Sequence, residues 1–542
     1  MASPARSWGI ALVLFVPIAA AIVATWWWLG APVALPASPL GVGEKLYCMS
    51  YSPFRGRQTP FDRTLRIDPG QIEDDLARLA AVTDCVRTYS TDLGLDQVAG
   101  IAERHGLKVI QGIWLGRERE RNRVEIETAI ALAARYPGTV RAFVAGNEVL
   151  LRGELSAADL AGLIQEVKAR VAVPVTYAEV WEFWLRNRPV ADSVDFVTIH
   201  ILPYWEDIPI PADQAASHVA DLRRMMAAAF PGKEILLGEV GWPSAGRMRE
   251  GALPSPVNQA RVIEDVLAVA KRDGFHANVI EAFDQPWKRQ LEGTVGGHWG
   301  LLSGQSRAPK FAWGVPLSNH PDWPWQAAVG VLLAAVILVA AAAASRTSKA
   351  PPTRKQWFGI AAMALVPGVL IGWAFANVPL ESLGLGGWTH SLVMLAVGLT
   401  SPVAGAAALT RNVPVPSFSE VIGPRKNEAP SRAGLAFGIS WVVLCAVAAE
   451  VALGLAFDPR YRDFPFAPLG AAAAPFLILT FVGAAARRRE LAEIVMAAVL
   501  AASSLYIVWN EGPANWQSLS LCGVFAAIVI ALLRPRAEPS SK

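Results

Sequence analysis

Apolar residues are distributed along this chain in two ways. Between about residues 42 and 313 short β-branched runs alternate with stretches in which apolar positions recur every three or four residues, and outside that interval they merge into long, nearly uncharged runs. Short apolar runs bounded by turns read as strands, and the three-to-four spacing reads as helices buried by one face. Strand-like segments fall at 46–54, 85–90, 107–115, 141–149, 173–181, 194–204, 234–240 and 278–283, with helical patterns such as 71–82, 124–135 and 157–170 between them. Eight strand–helix units in about 270 residues fit one α/β domain, a (β/α)8 TIM barrel. An open doubly wound sheet would usually carry a Gly-rich phosphate loop after its first strand, and none follows Tyr51-Ser52-Pro53-Phe54.

The first long run, 9–28, follows Arg6 and ends in Trp26, Trp27 and Trp28, which suit an interfacial aromatic belt. It reads as an uncleaved anchor. A signal peptide cut near Ala37 is the rival, but the run is longer than a usual signal core. Further runs at 326–344, 357–375, 388–410, 433–457, 466–486, 491–509 and 516–533 bring the expected total to about eight spans. The expected division is an anchor over 1–40, a barrel over 41–318 and a multi-span domain over 319–542. Orientation follows from loop charge. Arg346, Lys349, Arg354 and Lys355, then Arg411, Arg425, Lys426 and Arg432, then Arg487 to Arg489, and finally Arg534, Arg536 and Lys542 all fall on the side of Arg6. The intervening segments 377–387 and 510–515 hold no Lys or Arg, and Arg460 and Arg462 are balanced by Asp458 and Asp463. The positive-inside rule then gives cytoplasmic termini and an extracytoplasmic barrel, the periplasm if the membrane is the inner membrane of a Gram-negative bacterium.

Composition narrows the function classes. The net charge of +3 over 542 residues is thinly spread, so nothing points to nucleic acid, and no Walker loop is present to drive export with ATP. Cys48 and Cys85 lie on the first and second predicted strands and could pair in an oxidising compartment or remain buried thiols. Glu450 is the main charge inside an expected span and is a functional candidate for that reason, unless it pairs within the bundle.

The candidate chemistry is carried by two carboxylate motifs about ninety residues apart, each ending an apolar run: Gly146-Asn147-Glu148 and Gly238-Glu239-Val240-Gly241-Trp242-Pro243-Ser244. Two carboxyl groups at strand ends are what a retaining glycosidase needs, one as acid/base and one as nucleophile. These segments, with Val86-Arg87-Thr88-Tyr89 and Phe283-Asp284-Gln285-Pro286-Trp287-Lys288, resemble glycoside hydrolase family 17, the β-1,3-glucanase family. The resemblance covers roughly residues 45 to 313. It implies that Glu148 is the acid/base, that Glu239 is the nucleophile, and that no metal or organic cofactor is needed. Two departures from better-known members stand out: Leu202 replaces an aromatic in His200-Ile201-Leu202-Pro203-Tyr204, and Gln285 replaces a glutamate common in eukaryotic members.

Asn147 is a candidate for holding a sugar hydroxyl beside the reacting carbon, or else a turn residue. His200 and Tyr204 end the sixth strand, where they either bond Glu239 or the sugar or pack in the core. Tyr51, Tyr89, Trp114, Trp242 and Trp287 stand near strand ends where a sugar face could stack, each equally able to be core. Asp284 and Lys288, with Glu281, complete the candidates, and Lys288 could equally be a plain salt-bridge partner. Three readings follow. The first is a membrane-bound glucanosyltransferase that cuts and rejoins β-glucan, similar to bacterial β-1,3/β-1,6-glucan synthesis proteins. The second is an endo-β-1,3-glucanase, and the third a non-catalytic glucan guide in a synthesis or export complex. The expected partners are β-glucan and the lipid bilayer.

Overall fold

The computed structural model describes residues 4–423, 432–483 and 490–533. The chain divides into two compact units, Val33–Leu317 and the first 32 residues together with those from Ser318 onward.

In the first unit eight parallel strands close into a barrel in sequence order: β1 (Cys48–Ser50), β2 (Cys85–Arg87), β3 (Lys108–Ile113), β4 (Val140–Asn147), β5 (Val175–Val180), β6 (Val197–His200), β7 (Ile235–Val240) and β8 (Ala277–Val279). Successive strand side chains point to opposite faces. One set, including Cys48, Cys85, Ile110, Ala142, Val144, Ala178 and Leu236, forms a small cluster of its own and fills the interior. The other, including Met49, Val86, Phe143, Val197, Ile199 and Leu237, packs into the cores that meet the helices. Cys48 and Cys85 form a disulfide between β1 and β2.

Toward the carboxyl ends of the strands the interior turns polar. Ser50, Arg87, Thr198 and Asn278 are all buried there. The Asn278 side-chain amide donates to Ser50 Oγ at 2.7 Å and to the Gly238 carbonyl at 2.6 Å. Gly238 admits this layer, because a Cβ on it would stand 2.3 Å from Thr198 Cγ2.

The regular ladders are shorter than the apolar runs. The eighth run predicts a strand to 283, whereas pairing stops at Val279; beyond it Ile280 N–H donates to Val240 and Ala282 N–H to Ser50. The three predicted helices appear as Pro69–Leu79, Arg119–Arg135 and Ala157–Lys168, the first capped by Asp68 and the third by Ser156.

In the second unit seven helices among the described residues are long and apolar enough to span a membrane: Arg6–Leu29, Trp323–Ser345, Arg354–Glu381, Gly384–Thr410, Gly434–Phe457, Leu491–Glu511 and Trp516–Leu533. An eighth apolar helix, Phe466–Val482, has 17 residues. It stops short of the run read as 466–486, whose last residues lie outside the described ones. Trp26, His320, Trp373, Phe466 and Trp516 form one aromatic cluster. It joins the ends of Arg6–Leu29 and Arg354–Glu381 to the beginnings of Trp323–Ser345, Phe466–Val482 and Trp516–Leu533. Glu450 is paired, 2.9 Å from His390 and 3.8 Å from Arg462.

Candidate active site

The two candidate glutamates are brought together by β4 and β7. An oxygen of each carboxylate and a ring nitrogen of His200 lie within 4.8 Å of one another. Glu239 belongs to β7 and is almost fully buried, while about a quarter of the Glu148 side chain is exposed (24%).

Glu148 follows β4 in left-handed backbone (φ 52°), next but one to Gly146 (φ 95°). A non-glycine residue there costs about 1–2 kcal/mol and persists only where its surroundings enforce it. Here Glu148 N–H donates to the Ala178 carbonyl at 2.8 Å. Leu150 N–H donates to Tyr177 Oη at 3.0 Å, and Glu179 Oε2 accepts from the N–H groups of Leu150 and Leu151. Arg152 braces the same turn, donating to the Asn147 and Leu115 carbonyls and lying over the Trp114 ring at 4.2 Å.

Donors converge on Glu239. Arg87 Nη1 lies 2.9 Å from its Oε1, and the Tyr89 hydroxyl donates to the same oxygen at 2.8 Å. Burial pushes the Glu239 carboxyl up, but the charges facing it from His200, Arg87 and Lys288 and the Tyr89 hydrogen bond outweigh that and hold it below its ordinary value. Arg87 also donates to the Gly238 carbonyl at 2.9 Å and to Asn147 Oδ1 at 2.5 Å, fixing the side chain that precedes Glu148. His200, fully buried, shares a hydrogen bond from Nδ1 with Glu148 Oε1 (2.6 Å) and holds Nε2 at 3.7 Å from Glu239 Oε1.

Two further acids adjoin the pair. Burial raises Glu281 to about 7 despite Lys288, whose ammonium stands 2.9 Å from it. Glu292 is raised first by burial, with Lys288 opposing and Glu148 and Glu239 adding to the rise. Glu148, His200 and Glu239 are residue types that bind metals. Arg87 already supplies a fixed positive charge at Glu239 Oε1.

Several candidates from the sequence are directed elsewhere. Tyr51 is buried with its hydroxyl donating to Asp75 at 3.1 Å. Tyr204 is fully buried and donates to the Arg247 carbonyl. Trp242 is fully buried, with Nε1 donating to the Leu253 carbonyl at 3.0 Å. Asp284 accepts from Lys310 at 2.6 Å and from Gly300 N–H at 3.0 Å. These side chains offer a sugar little or no surface, because a position at a strand end fixes the height of a side chain but not the face it takes. Trp114 and Trp287 remain partly exposed.

Residues 48–300 match the model of the BtgE/BtgC glycoside hydrolase domain. The barrel is a glycoside hydrolase domain. Among curated proteins this hydrolase domain is similar to a probable beta-glucosidase, btgE, of Aspergillus clavatus, 29% identical over 274 residues that make up 49% of this chain and 47% of that protein. A glucan 1,3-beta-glucosidase of Candida albicans is 26% identical over 257 residues, 43% of this chain and 83% of that one. The chain thus spans about half the length of the Aspergillus relative and most of the Candida one. Among solved structures, a glycoside hydrolase family 17 beta-1,3-glucanosyltransferase from Rhizomucor miehei is 25% identical, covering 49% of this chain and 95% of its own, with a TM-score of 0.43. Its active-site mutant in complex with laminaritriose is 24% identical, covering 50% and 97%, with a TM-score of 0.44.

Arg87, in the motif Val86-Arg87-Thr88-Tyr89, and Glu292 and Glu179 join the site without a local signature that marks them for it. Arg87 is 152 residues from Glu239, and its contact arises only when the barrel closes. A lone arginine on an otherwise apolar strand was the available signal.

Proposed function

We propose that this chain is a membrane-bound retaining enzyme that cuts and rejoins β-1,3-glucan chains on the extracytoplasmic side. The observation that carries the mechanism is the spacing of the carboxylates, with an oxygen of each within 4.8 Å. Retaining enzymes hold the pair about 5–5.5 Å apart, whereas inverting enzymes need about 6.5–9.5 Å to admit a water.

In this reading Glu239, kept ionised by Arg87, Tyr89 and the charges of His200 and Lys288, attacks the anomeric carbon. The C1–O bond breaks, its electron pair stays on the leaving oxygen, and that oxygen takes the proton of Glu148. Glu148 is then a carboxylate. It removes the proton of an incoming hydroxyl as that oxygen attacks C1 and Glu239 departs. Water as acceptor gives hydrolysis, and a sugar hydroxyl gives transfer. In the same reading Asn147, immobilised by Arg87, holds a hydroxyl of the reacting sugar.

A curated relative's name supplies the substrate class, a glucan 1,3-beta-glucosidase. Attachment to a bundle of apolar helices favours remodelling of a nascent polymer over digestion. Loop charge supports eight crossings with both termini cytoplasmic, in the inner membrane of a bacterium. The disulfide agrees with an oxidising compartment.

The test is incubation of the full chain in detergent with defined β-1,3-gluco-oligosaccharides, following product lengths by mass spectrometry. Products longer than the substrate are expected, and their linkage reports whether branches form. Shorter products alone would make the enzyme a glucanase. Binding without turnover would leave the guiding role.

A further inference from the structure

Residues 55–66, between β1 and the helix Pro69–Leu79, form a strap with no part in the chemistry above. It is internally ordered: Arg55 N–H donates to Gln58 Oε1 at 2.8 Å, and the Thr64 hydroxyl donates to Asp62 at 2.6 Å. It is also fastened at both flanks. Toward β8, Phe61 packs edge-on against Trp287, with centroids 5.6 Å apart and planes at 81°. Trp287 is itself fixed, edge-on to Phe54 and with Nε1 donating to Gln285 Oε1 at 2.9 Å. Toward β3, Arg63 donates through both terminal nitrogens to the carboxylate of Glu118, the residue that begins the helix Arg119–Arg135. The strap therefore runs from the β8 side to the β3 side, past the ends of β1 and β2.

Phe61 remains 63% exposed, a large apolar ring set against Trp287 rather than in a core. Neighbours lead inward from it toward Glu239. Trp287 is followed by Lys288, whose Nζ stands 5.9 Å from the Trp287 ring centre, and Lys288 is one of the charges acting on Glu239. Glu148 is hydrogen-bonded to His200 at the end of β6. The acid protonates the leaving oxygen, so the departing sugars lie on the Glu148 side. In the retaining reading the sugars held on Glu239 extend toward its partners Tyr89 and Lys288, on the strap's β8 flank.

We propose that Phe61 and Trp287 form the apolar wall of a glycone-side subsite, which takes the face of a β-glucosyl unit beyond the one attached to Glu239. The Arg63–Glu118 pair keeps the strap at that wall. This inference rests on the retaining reading above.

The test uses the full chain in detergent and a series of β-1,3-gluco-oligosaccharides of increasing length, each with the same activated aryl leaving group, so that only the glycone grows. In the wild type kcat/KM is expected to rise with glycone length. Phe61→Ala should lower the ratio of kcat/KM between the longest and shortest donors by roughly three- to tenfold, the scale of one lost aromatic contact. Phe61→Trp should restore the ratio, and Glu118→Gln should lower it less. The ratio is independent of how much of each preparation is folded. A Phe61→Ala ratio equal to the wild-type value overturns the subsite while leaving the retaining mechanism intact. Failure of the wild type to turn over any donor overturns the proposed function and this inference with it.

Discussion

At the scale of single residues, Glu148 and Glu239 divide their roles through environment. Glu148 is about a quarter open to solvent on a left-handed turn enforced by Tyr177, Glu179 and Arg152, whereas Glu239 is buried among donors and cations. Glu239→Gln is expected to abolish turnover while leaving oligosaccharide binding largely intact, checked by rate and by tryptophan fluorescence titration; unchanged turnover would remove the nucleophile from Glu239. The pH profile follows from the same donors. Because the nucleophile must be ionised and its carboxyl is held below the ordinary value, the carboxylate survives as pH falls, so the acid limb of kcat/KM lies below about 4.3, the usual glutamate pKa. Tyr89→Phe deletes one donor to the carboxylate and should move that limb toward higher pH, measured with an activated donor. The two glutamates were legible because each stands in a local motif. The faces taken by Tyr51, Tyr204 and Trp242 were not, since the same aromatic side chain suits a sugar platform and a barrel–helix core.

At the scale of elements, the order of strands was readable because each apolar run is short and β-branched, and because a parallel barrel takes its strands in sequence. Their true lengths were not readable, for the backbone at 280–283 keeps hydrogen bonding beyond the regular ladder and its side chains stay apolar. The pairing of Cys48 with Cys85 was one of two open possibilities, decided by β1 and β2 lying side by side. The bond closes a 37-residue separation, for which chain entropy gives about 4 kcal/mol of stabilisation. Replacing both cysteines by serine is expected to destabilise the barrel by an amount of that order, read as a lower denaturation midpoint under non-reducing conditions. A midpoint equal to that of the wild type would show that the bridge does not restrain the unfolded chain.

At the scale of the whole molecule, the number of crossings decides where the carboxyl terminus lies, and the 17-residue helix Phe466–Val482 is the deciding member. At 1.5 Å per residue it spans about 26 Å, slightly less than a hydrocarbon core of about 30 Å. The arginine-rich segment 487–489 after it and the charge-balanced segment 458–463 before it argue that it crosses. The aromatic cluster agrees, since it sets Phe466 level with Trp516 and Trp26. A single cysteine introduced at Tyr461 should react with an impermeant thiol reagent on intact cells, and one at Arg488 only after permeabilisation. Reaction of both from the same side would leave that helix short of crossing. The apolar runs made seven long apolar helices legible, but the stop at Val482 was not, because the apolar composition continues past Gly483.

Val33 and Leu317, the first and last residues of the barrel unit, hydrogen-bond to each other in both directions, at 2.8 and 3.0 Å. In the helical unit, Gly30 and Trp323 stand in contact just outside those ends, with room for no side chain between them. The chain therefore leaves and re-enters the helical unit through adjoining points. Excising a domain tethered in this way, or exchanging it for another barrel, leaves no new distance for the chain to bridge.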